Sequence, residues 1–137
     1  MQNRLVGRQI FPLKHVLVCE DDIRSAGRLA LHLADLFGGQ GHVQVSIVSG
    51  AVQAAGLMTR VGVDLLILDH DMPFGNGTDL MAWLKENGHR PPIITFSGVH
   101  SNNDMMMSLG ALYQFSKDEV IDGKADDVLK TILGPVA

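Results

Sequence analysis

The sequence predicts an α/β domain of five strand–helix units, (βα)5, in which helices cover both faces of a parallel five-stranded sheet. Short apolar, β-branched runs alternate along the chain with segments whose apolar residues recur every three or four positions. The run VDLLIL over 63–68 is also too short and too continuously apolar for a surface helix. Alternation of this kind implies parallel strands joined by right-handed crossovers.

The five predicted strands are short and rich in β-branched or other apolar residues. The first, HVLVC, stops at an acidic triplet, as a buried strand does. Pro91 and Pro92 force an extended entry into the fourth. The predicted strands are 15–19, 43–48, 63–68, 93–96 and 112–116. The third of these is the central strand of the predicted sheet.

Five predicted helices follow the strands in turn. In the first, apolar residues recur at helical spacing, and Gly38-Gly39 predicts its end. In the fourth, the run from Met105 to Met107 spans most of a turn, so one or two of these side chains should pack inward. The predicted helices are 23–37, 50–60, 76–87, 101–109 and 122–133.

Length and composition narrow the classes of function. The 137 residues suit one domain that folds without disulfides, and the single Cys19 is expected in the core. Apolar runs end before the roughly 18 residues of a membrane span, and no signal-peptide core is present, so a cytoplasmic protein without membrane contact is expected. A net charge of -4 argues against nucleic-acid binding. We assign residues 15–137 to the domain and leave 1–14 as an unassigned N-terminal extension.

Polar residues follow four of the predicted strands. Glu20 and Asp21 follow the first strand, Asp69 the third, Ser97 the fourth and Lys117 the fifth. In open parallel sheets the working residues gather at the carboxyl ends of the strands. If the first and third strands are neighbours, as in the order 2-1-3-4-5, three carboxylates meet at one edge of the sheet.

Carboxylates that lie this close repel one another and raise one another's pKa unless a cation joins them. A set of oxygen ligands favours Mg²⁺. With a metal in place, a carboxylate can attack a phosphoryl group as a nucleophile. Lys117 and Ser97 could then hold the phosphoryl oxygens by charge-assisted hydrogen bonds. The pattern therefore favours phosphoryl chemistry.

The order and spacing of these residues resemble the receiver domain of bacterial two-component response regulators, over residues 15 to 134. Four motifs carry the resemblance: an acidic pair after the first strand, the pattern Asp-x-x-Met-Pro-x-x-x-Gly, a serine between a proline and a glycine, and a Gly-Ala followed by a lysine. In this sequence they are Glu20-Asp21; Asp69, Met72, Pro73 and Gly77; Pro92, Ser97 and Gly98; and Gly110-Ala111 and Lys117.

The resemblance implies a flavodoxin-like fold and a switch in a two-component or phosphorelay pathway. Asp69 would be the phosphoacceptor, and Glu20, Asp21, Asp69 and the main-chain carbonyl of Asp71 would hold Mg²⁺. Such a domain catalyses only its own phosphorylation and dephosphorylation and is otherwise no enzyme. A histidine kinase or phosphotransfer protein would be the donor and a separate protein the target, and a homodimer stays open.

Several positions modify the family pattern. Asp118 stands where a proline usually follows the lysine through a cis bond, so a trans bond is expected here. Gln114 replaces the switch aromatic, while Tyr113 points to the opposite face of the strand. Gly98, in contrast, matches the family pattern and would leave room for the phosphoryl group. Asp71 adds a carboxylate that is expected to affect the lifetime of the phosphoaspartate.

Two alternatives fit part of the pattern. A haloacid-dehalogenase-type phosphatase also forms an aspartyl-phosphate and uses a second aspartate as general acid and base, which Asp69 and Asp71 match locally. Such enzymes carry the nucleophile on the first strand and the acidic pair last, which is the reverse of the order here. A degenerate receiver would keep the fold for protein binding and never be phosphorylated, although every charged site residue is present.

Overall fold

The computed structural model describes residues 3–6, 9–37 and 43–134, and within them the chain forms seven strands and six helices. The strands are β1 (Asn3–Val6), β2 (Gln9–Pro12), β3 (Lys14–Cys19), β4 (Val43–Val48), β5 (Leu65–Leu68), β6 (Ile93–Thr95) and β7 (Tyr113–Gln114). The helices are α1 (Ile23–Leu36), α2 (Ala51–Met58), α3 (Gly77–Glu86), α4 (His100–Ser108), α5 (Lys117–Ile121) and α6 (Asp126–Leu133).

Five of the strands form one parallel sheet in the order β4-β3-β5-β6-β7. Counted over the five predicted strands this order is 2-1-3-4-5, so the predicted fold class and strand order are confirmed. β5 lies at the centre, where Ile67 is level with Val18 of β3 and with Ile94 of β6. All four residues of β5 are buried, as expected of a strand that has neighbours on both edges and helices on both faces.

The sheet separates two apolar cores because successive side chains of a strand point to opposite faces. On one face, Val16 and Val18 of β3 pack with side chains of α1, α5 and α6. On the other face, Leu17 and Cys19 pack with side chains of α2, α3 and α4. Each fully buried valine or leucine side chain stabilises the fold by about 1.5 to 3 kcal/mol relative to an exposed one. Helices on both faces and a buried Cys19 are therefore confirmed.

α5 is a helix that the prediction missed. β7 spans only Tyr113–Gln114 instead of 112–116, and α5 begins at Lys117. A capping box starts this helix: Glu119 N–H donates to Ser116 Oγ at 3.1 Å, and Ser116 N–H donates to the Glu119 carboxylate at 2.9 Å. The lysine therefore lies in the first turn of a helix and not at the end of a strand.

α6 is shorter than the predicted helix over 122–133. It begins at Asp126, after Gly123 turns the chain with a φ of 88°. The other predicted elements are confirmed, with ends shifted by no more than one or two residues. In α4, Met106 is buried and Met105 is exposed, which confirms that only part of the methionine run packs inward.

The N-terminal segment contributes a small sheet of its own. Residues 3–6 and 9–12 pair antiparallel as β1 and β2, and the five-stranded sheet begins at Lys14. The division of the chain after residue 14 stays a prediction. Two further predictions, the helix end at Gly38-Gly39 and the last domain residues 135–137, lie outside the described residues. Among those that are described, no helix is long and apolar enough to cross a membrane.

The start of α3 packs closely against the segment after β5. A Cβ atom at Gly77 would lie 2.8 Å from Met106 Sδ and 2.9 Å from the carbonyl oxygen of Asp69. Interiors packed at crystal-like density cannot absorb such an atom without movement. Asn76 caps the helix, and Gly77 N–H donates to the His70 carbonyl at 2.9 Å. Glycine at this position lets α3, α4 and the segment after Asp69 meet.

Gly77→Ala should lower the free energy of unfolding by about 1 to 3 kcal/mol, because the added methyl group has no room. Urea denaturation measures the effect. Gly27→Ala in α1 is the matched control, since nothing outside its own helix backbone lies within 4 Å of the added Cβ. Alanine there should leave stability unchanged or raise it by up to about 1 kcal/mol. Equal stability of the two variants would contradict the close contact at Gly77.

Glu119 provides a pH test of the cap of α5. The main-chain N–H of Ser116, its side chain and the nearby Lys124 and His100 hold the pKa of Glu119 below its usual 4.5. A carboxyl with a lowered folded-state pKa stabilises the fold above its unfolded pKa and loses that contribution as pH falls through the folded-state pKa. Glu119→Gln keeps an acceptor for Ser116 but removes the charge. Its stability deficit should therefore be complete at neutral pH and shrink as the solution becomes acidic.

The measurement is urea unfolding of both proteins from about pH 7 to about pH 3. Glu86→Gln, an exposed carboxylate at the end of α3, serves as the control for loss of a surface charge. A Glu119→Gln deficit that stays constant over this range would show that the charge plays no part in the cap.

Candidate functional site

Three carboxylates converge at the carboxyl ends of β3 and β5. Glu20 follows β3 directly and its N–H donates to the Val48 carbonyl at 3.0 Å, while Asp69 N–H donates to the Cys19 carbonyl at 3.0 Å. These bonds continue the sheet by one residue beyond each strand. One oxygen each of Glu20, Asp21 and Asp69 lie within 4.8 Å of one another. The structure therefore brings the predicted acidic residues together.

Two of these carboxylates are almost fully buried. Glu20 is 2% exposed and Asp69 is 3% exposed, whereas Asp21 lies at the surface. Burial raises the pKa of Glu20 above its usual range, and the Asp69 charge acts in the same direction. Lys117 and the Asp22 N–H, which donates to Glu20 Oε1 at 3.0 Å, oppose the shift. A cation at this site would relieve the remaining repulsion.

Lys117 supplies one positive charge to the cluster. Its Nζ lies 2.7 Å from Glu20 Oε2 and 3.4 Å from Asp69 Oδ2. The same atom lies 5.7 Å from the centroid of the Phe96 ring, a cation–π contact. Burial of the ammonium works against its charged form, but the two carboxylates outweigh it and raise the pKa of Lys117 above its usual range. The bond to Asp118 is trans, as predicted, and Lys117 still reaches the acidic cluster.

The Asp69 carboxylate is held at both oxygens. His70 N–H donates to Oδ1 at 2.9 Å, and Oδ2 faces the Lys117 ammonium. The main-chain N–H and the ammonium together fix the orientation of this carboxylate. Asp69, like Glu20, contacts Lys117 and belongs to the potential metal cluster, and it is the member that follows the central strand.

Ser97 lies at the same edge of the sheet, beyond β6. Leu68 of β5 is level with Thr95 of β6, so the segments that follow both strands emerge side by side. Ser97 is 1% exposed, and its Oγ accepts a hydrogen bond from Val99 N–H at 3.1 Å. The structure therefore places Ser97 at the same edge of the sheet as Asp69, and its predicted role in binding phosphoryl oxygens stays a prediction.

Asp71 is not part of the carboxylate cluster. Its side chain is 65% exposed, with Oδ1 lying 3.0 Å from His70 Nδ1. Asn102 Nδ2 of α4 donates to Asp71 Oδ2 at 3.3 Å. Sequence analysis did not single out His70 or Asn102, since neither belongs to a recognisable motif. The predicted metal contact of the Asp71 carbonyl stays a prediction.

Gly98 and Gln114 line an open cleft of about 260 Å³ beside Ser97. Gln114 is exposed and has no ring to fill this space, while Tyr113 is 43% exposed. A third residue of the cleft, Asn103, is buried and was also missed by sequence analysis. Its neighbours in sequence are polar, so no periodic signal marks it as an inward-facing position.

Comparison with known proteins identifies the class of this site. The family model for the response regulator receiver domain matches residues 16–123. The chain belongs to this family. Receiver domains are signalling domains of two-component systems that bind Mg²⁺ at an acidic site and interact with histidine kinases and downstream effectors.

Solved structures share the fold. The phosphorylated cyanobacterial phytochrome response regulator RcpA matches with a TM-score of 0.73 and 17% identity, over 88% of this chain and 94% of that one. The receiver domain of a Pseudomonas aeruginosa sensor histidine kinase, with a magnesium ion in its active-site cleft, matches with a TM-score of 0.73 and 21% identity, over 89% and 98%. A Francisella receiver domain matches with a TM-score of 0.68 and 22% identity, over 86% and 97%. A search of curated protein sequences finds no match.

Lys117→Met should lower the free energy of unfolding by about 1 to 3 kcal/mol in metal-free solution, because it leaves two buried carboxylates without their cation. The loss should be smaller than for a fully buried ion pair, since the Lys117 side chain is 30% exposed. Urea unfolding with a chelator present measures it. Lys85→Met, which removes an exposed lysine of α3, is the control. Equal stability of the two variants would contradict a stabilising role of Lys117 in the cluster.

Proposed function

We propose that the chain is a phosphoacceptor switch in a two-component or phosphorelay pathway, with Asp69 as the residue that is phosphorylated. The observation that carries the proposal is the position of the Asp69 carboxylate. It is buried at the end of the central strand, grouped with Glu20 and Asp21 and contacted by the Lys117 ammonium. This arrangement offers a nucleophile, ligands for a divalent cation and a cation for the phosphoryl oxygens.

The donor set fits Mg²⁺. Glu20, Asp21 and Asp69 provide only oxygen ligands, the type that Mg²⁺ prefers, and three carboxylates outnumber the single ammonium beside them. The exposed side of the cluster at Asp21 leaves access for water and for phosphate oxygens. When bound, Mg²⁺ would neutralise charge on the transferring phosphoryl oxygens. The carbonyl of Asp71 is proposed as a fourth protein ligand.

In the proposed reaction, an Asp69 oxygen forms a bond to the phosphorus atom of the donor. The phosphorus–nitrogen bond of a phosphohistidine on a histidine kinase or phosphotransfer protein breaks, and its electron pair returns to the imidazole. The Lys117 ammonium and the Ser97 hydroxyl would hold the transferred oxygens, and Gly98 would leave room for them. Water later attacks the same phosphorus atom, the phosphorus–oxygen bond to Asp69 breaks, and inorganic phosphate is released with the Asp69 carboxylate restored. The chain then acts on its own phosphoryl group and on no separate substrate.

Phosphorylation of Asp69 would change the arrangement of the surface formed by α4, β7 and α6. Movement of Ser97 and Lys117 towards the phosphoryl group shifts the segments that carry them, and a separate target protein would bind one arrangement better than the other. Asp71 would modulate the lifetime of the phosphoaspartate. Its carboxylate lies near the site but is mostly exposed and contacts His70 and Asn102.

Asp69→Asn should abolish labelling by radiolabelled acetyl phosphate, because an amide cannot act as the nucleophile. Asp71→Asn is the matched control and should still take up label, with a changed rate of label loss. Chelation of divalent ions should block labelling of the unsubstituted protein, because the three carboxylates then lack their cation. Acid-quenched gels of the labelled proteins measure all three results.

Other outcomes favour different functions. Label that persists in Asp69→Asn would place the acceptor elsewhere and contradict the proposal. Turnover of many small phosphate esters that requires Asp71 would favour a phosphatase of the haloacid-dehalogenase type. The absence both of label and of any beryllofluoride-induced NMR change would favour a binding module that is never phosphorylated.

A further inference from the structure

A buried asparagine connects Ser97 to two other parts of the fold. The carboxamide of Asn103, in α4, accepts a hydrogen bond from Ser97 N–H at 2.9 Å. It also donates to the Ser97 carbonyl at 3.0 Å and to the Phe115 carbonyl at 3.3 Å. Asn103 is only 3% exposed. Hydrogen bonds in such a buried setting are strong and costly to leave unmade.

These bonds restrict how Ser97 can move. Both main-chain polar groups of Ser97 are satisfied by one side chain of α4, so Ser97 cannot be displaced relative to the helix while the bonds remain. Phe115 follows β7 directly, and its own N–H donates to the Thr95 carbonyl of β6 at 2.9 Å. The segment at Ser97, α4 and the end of β7 therefore form one hydrogen-bonded unit.

We propose that Asn103 is a positioning residue that transmits displacement of Ser97 to α4 and β7. The inference rests on the proposed function, in which Ser97 moves towards a phosphoryl group on Asp69. Gln114 lines the cleft beside Ser97 and has no aromatic ring. Movement of Ser97 therefore cannot be coupled to movement of a ring at that position. The hydrogen bonds of the Asn103 side-chain carboxamide provide this coupling instead, because displacement of Ser97 would move α4 and Phe115 with it.

The test is the NMR response of the full chain to beryllofluoride with Mg²⁺, a mimic of phosphorylation. In the unsubstituted protein, amide shifts should change around Asp69 and Ser97 and also along α4 and at Phe115. In Asn103→Ala the changes around Asp69 should remain, while those along α4 and at Phe115 should fall at least about fivefold. Asp104→Ala, an exposed position of the same helix, should respond as the unsubstituted protein does.

The Asn103→Asp variant tests the accepted and the donated hydrogen bonds of Asn103 separately. Aspartate keeps the acceptor for Ser97 N–H but lacks the donors to the two carbonyl groups. The response at Phe115 should therefore be lost, while part of the response along α4 is kept. An effect of this kind, graded by which hydrogen bonds remain, would not arise from a general loss of packing.

A second measurement uses only the unsubstituted protein and decides the question even if both variants fail to fold. The Ser97 amide proton, bound to Asn103, should be as protected from hydrogen exchange with beryllofluoride as without it, because the unit moves as one. Loss of this protection by more than about tenfold would show that the connection opens and would overturn the inference.

The outcomes separate this inference from the proposed function. A normal beryllofluoride response along α4 and at Phe115 in Asn103→Ala would overturn the inference and leave the phosphoacceptor function supported. No response at any position of the unsubstituted protein would overturn the inference, and together with the absence of label it would overturn the proposed function as well.

Discussion

Repulsion between Glu20 and Asp69 is the constraint on which the site depends. The parallel pairing of β3 with β5 places both carboxylates at adjacent strand ends, and the helices on either face remove the water that would screen their charges. Lys117 contacts both, and it can do so because Ser116 and Glu119 start α5 at that residue. The lysine that offsets part of the buried negative charge is thus positioned by a helix cap. The hydrogen bonds that start α5 place Lys117 beside two carboxylates that lie far from it in the sequence.

The neighbourhood of Asp69 is also tied to α4 at the opposite side of the site. Asn102 contacts the exposed Asp71, whereas Asn103 holds the buried main chain of Ser97. The two contacts differ in strength because water competes with the first and is excluded from the second. Gly77, at the start of α3, also allows that helix to approach Met106 of α4. α4 therefore contacts the residues after β5 and after β6 through adjacent side chains.

Much of this architecture could be predicted from the sequence because the signals were local. The continuous apolar run of β5 identified the central strand, and the residues after each strand end identified Glu20, Asp69 and Ser97. Two of the missed features, the start of α5 and Asn103, were missed for different reasons. The cap of α5 was present as Ser116 and Glu119 at capping-box spacing, but Lys117 was assigned to a strand end. Asn103 carried no signal, since a polar residue among polar neighbours predicts an exposed position. Its burial goes with hydrogen bonds to Ser97 and Phe115, which lie six and twelve residues away.

The sequence by itself determined the order of strands and helices, the apolar faces of each element and the chemical groups that follow each strand. These depend on interactions between residues a few positions apart, such as helical periodicity, strand length and caps. The tertiary structure alone decided that Lys117 contacts both Glu20 and Asp69, that Asp71 turns outwards to Asn102, and that Ser97 is bound to α4. The first two contacts join residues remote along the chain, and the third joins residues six positions apart in different elements. All of them follow from strand register and helix packing, which no local pattern specifies.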